Sequence, residues 1–296
     1  MPIPEDQLET WSRQGSVTQS SQTYGIIRTA LERADSPYSA KSYKVFLQGS
    51  YGNDTNIYSE SDVDVAIRLD STFLHDIDSL PNDQQDALDA AYAHTTYPWS
   101  DFQRDVTAHL RKVFQGDAVP GRKAVHIKAR GNRRSADVLI AADFRRYRRF
   151  RSIGNEDFVE GLCFFTSEGS RVANYPERHS ANVTAKHQAT KSWFKPVVRI
   201  FKNVRRHLVE SGAIGPKTAP SYFIEGMLYN APDRAFGGSY SESFVECFNW
   251  LNNTDSSQLV CANEQYYLLG PDSNINWSHD KFREYLRAVS TLWKNW

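Results

Sequence analysis

Cysteine is scarce in this chain of 296 residues: Cys163, Cys247 and Cys261 form no C-x-x-C pair, which excludes a disulfide framework and a zinc module alike. The eight histidines are dispersed, and none has the i, i+4 partner that a metal site on a helix needs. No apolar run approaches the roughly 20 residues of a membrane span, so no membrane partner is expected. The opening stretch, MPIPEDQLETWSRQG, lacks a basic region followed by an apolar core, which points away from secretion and toward the cytoplasm. Neither sign of charge is in excess, with 35 basic and 35 acidic residues, whereas a dedicated duplex-DNA binder usually carries a basic surplus. Nucleic acid is therefore not an expected partner. Internal repeats and low-complexity tracts are absent as well.

What is present is the composition of a folded protein, 40% apolar, 13% aromatic and 24% charged, in a chain long enough for two halves. Polar cap residues followed by Ile27, Ala30, Leu31 and Ala34 predict an opening helix between Gly15 and about Ala34. SYKVFLQGS reads as a strand and SDVDVAIRL as a second, with Val63, Val65, Ile67 and Leu69 on one face and Asp62, Asp64, Ala66 and Arg68 on the other. KAVHIKAR and SADVLIAADF read as two more strands, and FVEGLCFFTSEGSRVANYP as a hairpin turning at Glu168 to Ser170. Beyond Pro176 the pattern becomes helical, over Thr190 to Ser211, Ser221 to Tyr229, Ser241 to Leu251 and Asp280 to Trp293. The expected fold class is α+β, with residues 1–176 rich in strands and residues 177–296 helical.

Two charged features have ordinary explanations. The aspartates between Asp70 and Asp89 lack the loop glycine and terminal glutamate of a calcium loop and fit a solvated loop and helix surface. The basic run Arg145 to Arg151 fits a solvated strand and loop edge.

Asp62 and Asp64 are different, because two like charges pointing the same way from one strand are costly unless something neutralises them. A divalent magnesium ion, with its preference for carboxylates, waters and phosphates, would do so. A third carboxylate on a neighbouring strand would allow two metals to flank a transferring phosphate. Asp137 is the candidate, and Asp143 the alternative at the strand's far end. Upstream, Gly49 allows close backbone approach to a phosphate, and the amide and hydroxyl of Ser50 can donate to its oxygens. This is not the G-x-x-x-x-G-K-[ST] loop.

Gly49-Ser50, eleven residues and then Asp62-Val63-Asp64-Val65 resembles the signature of the polymerase-β-like nucleotidyltransferases, with Asp137 at the place of their third carboxylate. More narrowly, PIPEDQLETWSRQG, VFLQGSYGNDTNIYSESDVDV, VANYPERHSAN, FKPVVRIFKNVR and APSYFIEGMLYN resemble the bacterial cGAS/DncV-like nucleotidyltransferases, and among them the clade E cyclic dipyrimidine nucleotide synthases. The resemblance spans nearly the whole chain. It implies a nucleotidyltransferase core of sheet and helices with a helical C-terminal lobe. It also implies two magnesium ions, or manganese, and nucleoside triphosphate substrates, UTP before ATP. The cyclic dinucleotide product would act on a separate effector in anti-phage (CBASS) signalling, and the enzyme would be a monomer.

Further site residues follow from the same resemblance. Apolar Phe194, Val197, Val198, Phe201, Val204 and Leu208 share one helical face, while Lys195, Arg199, Lys202 and Arg206 form a basic stripe that a solvated surface would equally explain. Related enzymes hold the donor triphosphate with a lysine on this helix and a serine on the next, the places of Lys202 and Ser221. Ser221 would equally serve as a helix cap after Pro220. Tyr222 is suited either to stacking on a base or to the core. Asn174, in RVANYP, falls where the clade has an asparagine associated with pyrimidine choice. A linear-product or protein-modifying nucleotidyltransferase and an inactive nucleotide sensor are the alternatives. Three retained carboxylates argue against the sensor.

Overall fold

The computed structural model describes residues 2–15, 17–58, 62–92, 95–271 and 275–296. Ser16 in the expected opening helix and Ser61, expected to begin the second strand, lie outside the described residues. In chain order come α1 (Glu5–Ser12), α2 (Thr18–Leu31), β1 (Tyr43–Leu47), the single turn α3 (Gly49–Gly52), β2 (Val63–Asp76), α4 (Asn82–Ala91) and α5 (Trp99–Phe114). There follow β3 (Ala118–Pro120), β4 (Val125–Ile127), β5 (Ala136–Ser152), β6 (Asn155–Phe165) and β7 (Arg171–Asn174). The helices α6 (Pro176–Ala189), α7 (Phe194–Glu210), α8 (Ser221–Tyr229), α9 (Tyr240–Asn253) and α10 (His279–Asn295) complete the chain.

These elements form two compact units, neither continuous in sequence. A sheet unit comprises Thr18–Gln48 and Ser61–Pro176, and a helical unit comprises Met1–Val17, Gly49–Glu60 and Glu177–Trp296. One unit boundary lies between Pro176 and Glu177. The N-terminal segment joins the helical unit because Ile3, Leu8 and Trp11 are buried in the core built by α7, α8, α9 and α10.

In the sheet unit the strand order is β1-β2-β5-β4-β3, with β6 on β5 and β7 on β6. β2 and β5 are parallel, and the other pairs are antiparallel. The buried faces of α2 and α5, with Ile27, Leu31, Phe102, Val106 and Leu110, supply the apolar cover that a sheet of such strands needs. Both central strands run longer than expected. β5 takes in the run Arg145 to Arg151, where Tyr147 and Phe150 are buried and the Arg145 guanidinium lies over the rings of Phe73 and Phe158. β2 likewise takes in Asp70 and Asp76.

The helical unit is organised on α7, whose Phe194, Val197, Val198, Phe201, Val204 and Leu208 are all buried as the periodicity requires. α9 starts at a capping box, with Ser239 accepting from the Glu242 backbone and Glu242 reaching back to the Ser239 N–H. Among the described residues, no helix is long and apolar enough to cross a membrane.

Candidate active site

The carboxylates of the sheet unit are placed by strand pairing. Asp64 on β2 is in register with Asp137 on β5, so the two side chains leave the same face of neighbouring strands. Asp62 stands two residues before Asp64 and shares its side of the alternation. The Val63 N–H donates to the Ser135 carbonyl at 3.0 Å, and the Ser135 hydroxyl donates to Asp62 Oδ1. On the opposite edge His126 of β4 pairs with Asp137 in register, and its Nδ1 lies 2.9 Å from Asp137 Oδ1. A carboxylate oxygen only accepts, so Nδ1 carries the proton. Asp143 is six residues further along β5, roughly 20 Å away at strand rise, and is buried against Arg68 and Arg145. Its burial pushes its pKa up, against the pull of the two arginines. It does not belong with Asp62, Asp64 and Asp137.

The donor set fits magnesium chemically: three hard carboxylates from adjoining positions, with no thiol or imidazole forced into their place. Among the described residues no three His, Cys, Asp or Glu side chains converge closely enough to hold an ion. Asp62 and Asp137 are instead engaged by Ser135 and His126.

The helical unit gathers the expected phosphate-holding residues. Gly49 has φ +66°, a left-handed conformation that favours glycine, and it starts the turn that presents Ser50. The turn is closed by Asn53 N–H to Gly49 O at 3.1 Å and Thr55 N–H to Ser50 O at 2.9 Å. Lys202 on α7 donates to Ser50 Oγ at 2.8 Å and to Thr55 O at 2.9 Å. Ser50 and Lys202 are thus brought together, although 152 residues apart in sequence.

The basic stripe of α7 is not a solvated face. Lys195 and Lys202 are buried, and three members of the row each reach the segment Gly49–Glu60. Lys195 pairs with Asp54 at 3.0 Å, Arg199 donates to Asp54 O at 2.6 Å, and Lys202 holds Ser50 and Thr55. Only Arg206 is left to a long contact with Glu210, 3.8 Å away.

Ser221 is the first residue of α8, with Pro220 in the cap position, so Ser221 is not the cap. Tyr222 is packed in the helical unit: its ring stacks on His179 at 5.1 Å, and its hydroxyl accepts from Asn263 Nδ2 at 3.0 Å. Asn174 ends β7 opposite Leu162 and is half-buried, and its Oδ1 accepts from the Tyr175 N–H at 2.9 Å. Gly161 permits this corner, since a Cβ there would stand 2.6 Å from the Asn174 carbonyl and 2.7 Å from the Tyr175 ring.

Two groups of neighbours are not among the expected site residues. His126 and Ser135 are visible only through strand register. Glu225 and His179 had a signal, because Glu225 is a lone acid inside the apolar run SYFIEGMLY, and such a residue is tolerated inside only with partners. It accepts from Thr55, from Asn53 Nδ2 at 3.2 Å and from His179 Nε2 at 2.8 Å, and lies 3.7 Å from Lys202 Nζ.

Comparison with known proteins bears on the family of the chain. Residues 181–294 match the cGAS/DncV-like nucleotidyltransferase C-terminal helical domain. Over its whole length the chain is 40% identical to the cyclic UMP-AMP synthase of Rhodothermus marinus, covering 99% of that protein. It is 33% identical to the cyclic dipyrimidine nucleotide synthase CdnE of Legionella pneumophila, with 98% of each chain aligned. The structure of the Rhodothermus marinus CdnE c-UMP-AMP synthase with Apcpp and Upnpp superposes with a TM-score of 0.90 at 39% identity, covering all of this chain and 98% of that one.

Proposed function

The chain belongs to the CdnE-like branch of the cGAS/DncV-like nucleotidyltransferases, and from that membership we propose that it makes a cyclic dinucleotide from two nucleoside triphosphates. Each of two successive steps joins a 3′-hydroxyl oxygen to the α-phosphorus of a triphosphate and expels pyrophosphate. The first product is linear and the second step closes the ring. The observation that carries the reading is the register of Asp64 with Asp137, which sets two carboxylates side by side where Asp62 can join them.

Asp62, Asp64 and Asp137 would hold two magnesium ions, whose Lewis acidity would neutralise phosphate charge and acidify the attacking hydroxyl. Asp137 also accepts the hydroxyl proton. His126, bonded to one of its oxygens, fixes the orientation of the carboxylate. Gly49 and Ser50 contact the triphosphate through backbone and hydroxyl. Ser221 adds a second hydroxyl, and Lys202 acts at the same phosphates.

A uridine-containing product, cyclic di-UMP or a mixed ring with adenosine, is the preferred reading, with UTP used before ATP. Its support is the likeness to a cyclic UMP-AMP synthase and to a cyclic dipyrimidine synthase, together with Asn174 at the end of β7. The enzyme acts as a cytoplasmic monomer, and its product signals to a separate effector in anti-phage defence. The test is incubation of purified protein with the four labelled ribonucleoside triphosphates and magnesium, followed by phosphatase. A phosphatase-resistant product that requires UTP is expected. A phosphatase-sensitive product would mean a linear-product enzyme, and no turnover of any triphosphate would remove the reading altogether.

A further inference from the structure

The segment carrying Gly49 and Ser50 is fixed from beneath by one buried ion pair. Lys202 is 1% exposed and Glu225 is 3% exposed. An ammonium and a carboxylate at that depth survive only if each satisfies the other and its remaining hydrogen-bonding capacity. They do so by sharing one stretch of chain: Lys202 takes Ser50 Oγ and Thr55 O, and Glu225 takes the Asn53 and Thr55 side chains. His179, from α6, supplies a further donor to Glu225 Oε2. Burial raises the Glu225 pKa, but the His179 hydrogen bond, the Lys202 charge and the Thr55 hydroxyl outweigh it and hold it at about 2.

This arrangement bears on the chemistry of Ser50. A hydroxyl has one hydrogen, and Ser50 Oγ already accepts from Lys202, so its own O–H is left to donate elsewhere. With Glu225 balancing its charge, Lys202 acts at the triphosphate through the Ser50 hydroxyl more than as a bare cation. We propose that Glu225 is a positioning residue of the nucleotidyl-transfer site, holding the Lys202 side chain and the Ser50 turn in place so that the Ser50 hydroxyl donates to the triphosphate. The inference rests on the nucleotidyltransferase reading and adds to it a residue that touches no substrate.

The titratable groups on the elements packed around Lys202 are Glu225 and Tyr222 on α8, His179 on α6, Asp54 with its partner Lys195, and Arg199 on α7. Among the described residues Glu225 is the one carboxylate buried beside Lys202, and Asp54 is paired with Lys195. Removing the Glu225 charge leaves a buried ammonium without its counter-charge and the Ser50 turn without the Asn53 and Thr55 contacts that hold it.

The test compares Glu225→Gln, Glu225→Asp, Lys202→Met and the double variant Glu225→Gln with Lys202→Met. The readouts are circular dichroism melts, equilibrium binding of a non-hydrolysable nucleoside triphosphate, and separate KM and kcat values for triphosphate turnover. Glu225→Gln should bind the triphosphate with a dissociation constant about tenfold or more above that of wild type and raise KM by a similar factor. The double variant should match Lys202→Met, because the two residues act on one turn. Glu225→Asp, which keeps the charge but withdraws it from Asn53 and Thr55, should show a dissociation constant about tenfold higher. A folded Glu225→Gln with wild-type triphosphate affinity would overturn the proposal. Should Glu225→Gln fail to fold, wild-type triphosphate affinity in folded Glu225→Asp would overturn it instead. Absence of triphosphate turnover by the wild type is a separate outcome and counts against the nucleotidyltransferase reading itself.

Discussion

Replacing Asp62 and Asp64 together by asparagine separates the chemical role of these carboxylates from any structural one. Asp64 and Asp137 leave neighbouring strands in register. With strands about 4.8 Å apart, two carboxylate charges repel by ~3 kcal/mol at an effective dielectric of about 20 and by ~1 kcal/mol in water. The Asp137 side chain is 39% exposed, which places the pair toward the lower figure. Neutralising Asp64 therefore relieves ~1 kcal/mol, equivalent to a melting temperature about 2–4 °C higher in a protein of this size class. The Asp62→Asn side chain retains an acceptor for the Ser135 hydroxyl, so that link need not break. Catalysis moves the other way. Metal stabilisation of the transferring phosphate is worth several kcal/mol, so the double variant should lose about 10³-fold or more in turnover. Labelled triphosphates and a thermal melt on the same preparation measure both effects. Turnover within tenfold of wild type refutes the metal-site reasoning. A lost activity accompanied by a melting temperature several degrees lower would refute the electrostatic part.

Three further outcomes can be checked. Asn174→Ser should weaken the uridine preference and admit purines, read from the product spectrum with mixed triphosphates; an unchanged spectrum removes Asn174 from base choice. The depressed folded-state pKa of Glu225, about 2 against an ordinary 4.5, contributes stability that is present above about pH 4.5 and is lost as pH falls toward 2, on the order of 3 kcal/mol in all. Denaturant titrations through that window should show more acid loss in the wild type than in Glu225→Gln, and equal slopes would contradict it. Burial raises the thiol pKa of all three cysteines, Cys247 to about 12 and Cys261 to about 11, so iodoacetamide should leave the native protein unlabelled and modify three thiols once it is unfolded.

The parts of the fold that were legible in sequence are those written in local periodicity. The alternation of Val63, Val65, Ile67 and Leu69 against Asp62 and Asp64 is that of β2, and the apolar face of α7 is buried as its spacing requires. The hairpin of β6 and β7 closes at the expected turn. The helix α5 is not among the expected elements, although Phe102, Val106, Leu110 and Phe114 recur every four residues. What periodicity does not contain is partnership at long range. A row of Lys195, Arg199 and Lys202 has the same spacing whether it faces water or a buried segment. Its actual partners, Asp54, Ser50 and Thr55, lie some 140 to 150 residues earlier. The same holds for Asp137, whose His126 neighbour is given by strand pairing alone.

The chain departs from the sheet unit at Gly49, contributes twelve residues to the helical unit, and resumes the sheet unit at Ser61. That detour has a consequence for biosynthesis. Ser50 leaves the ribosome early, but Lys202 and Glu225, which give its turn a shape, are translated about 150 and 170 residues later. At about 5–20 residues per second, the interval is roughly 8 to 35 seconds. During it the Ser50 turn lacks the Lys202 and Glu225 contacts that hold it. A chain interrupted before α7 would carry Asp62, Asp64 and Asp137 but have no partner for Ser50 Oγ.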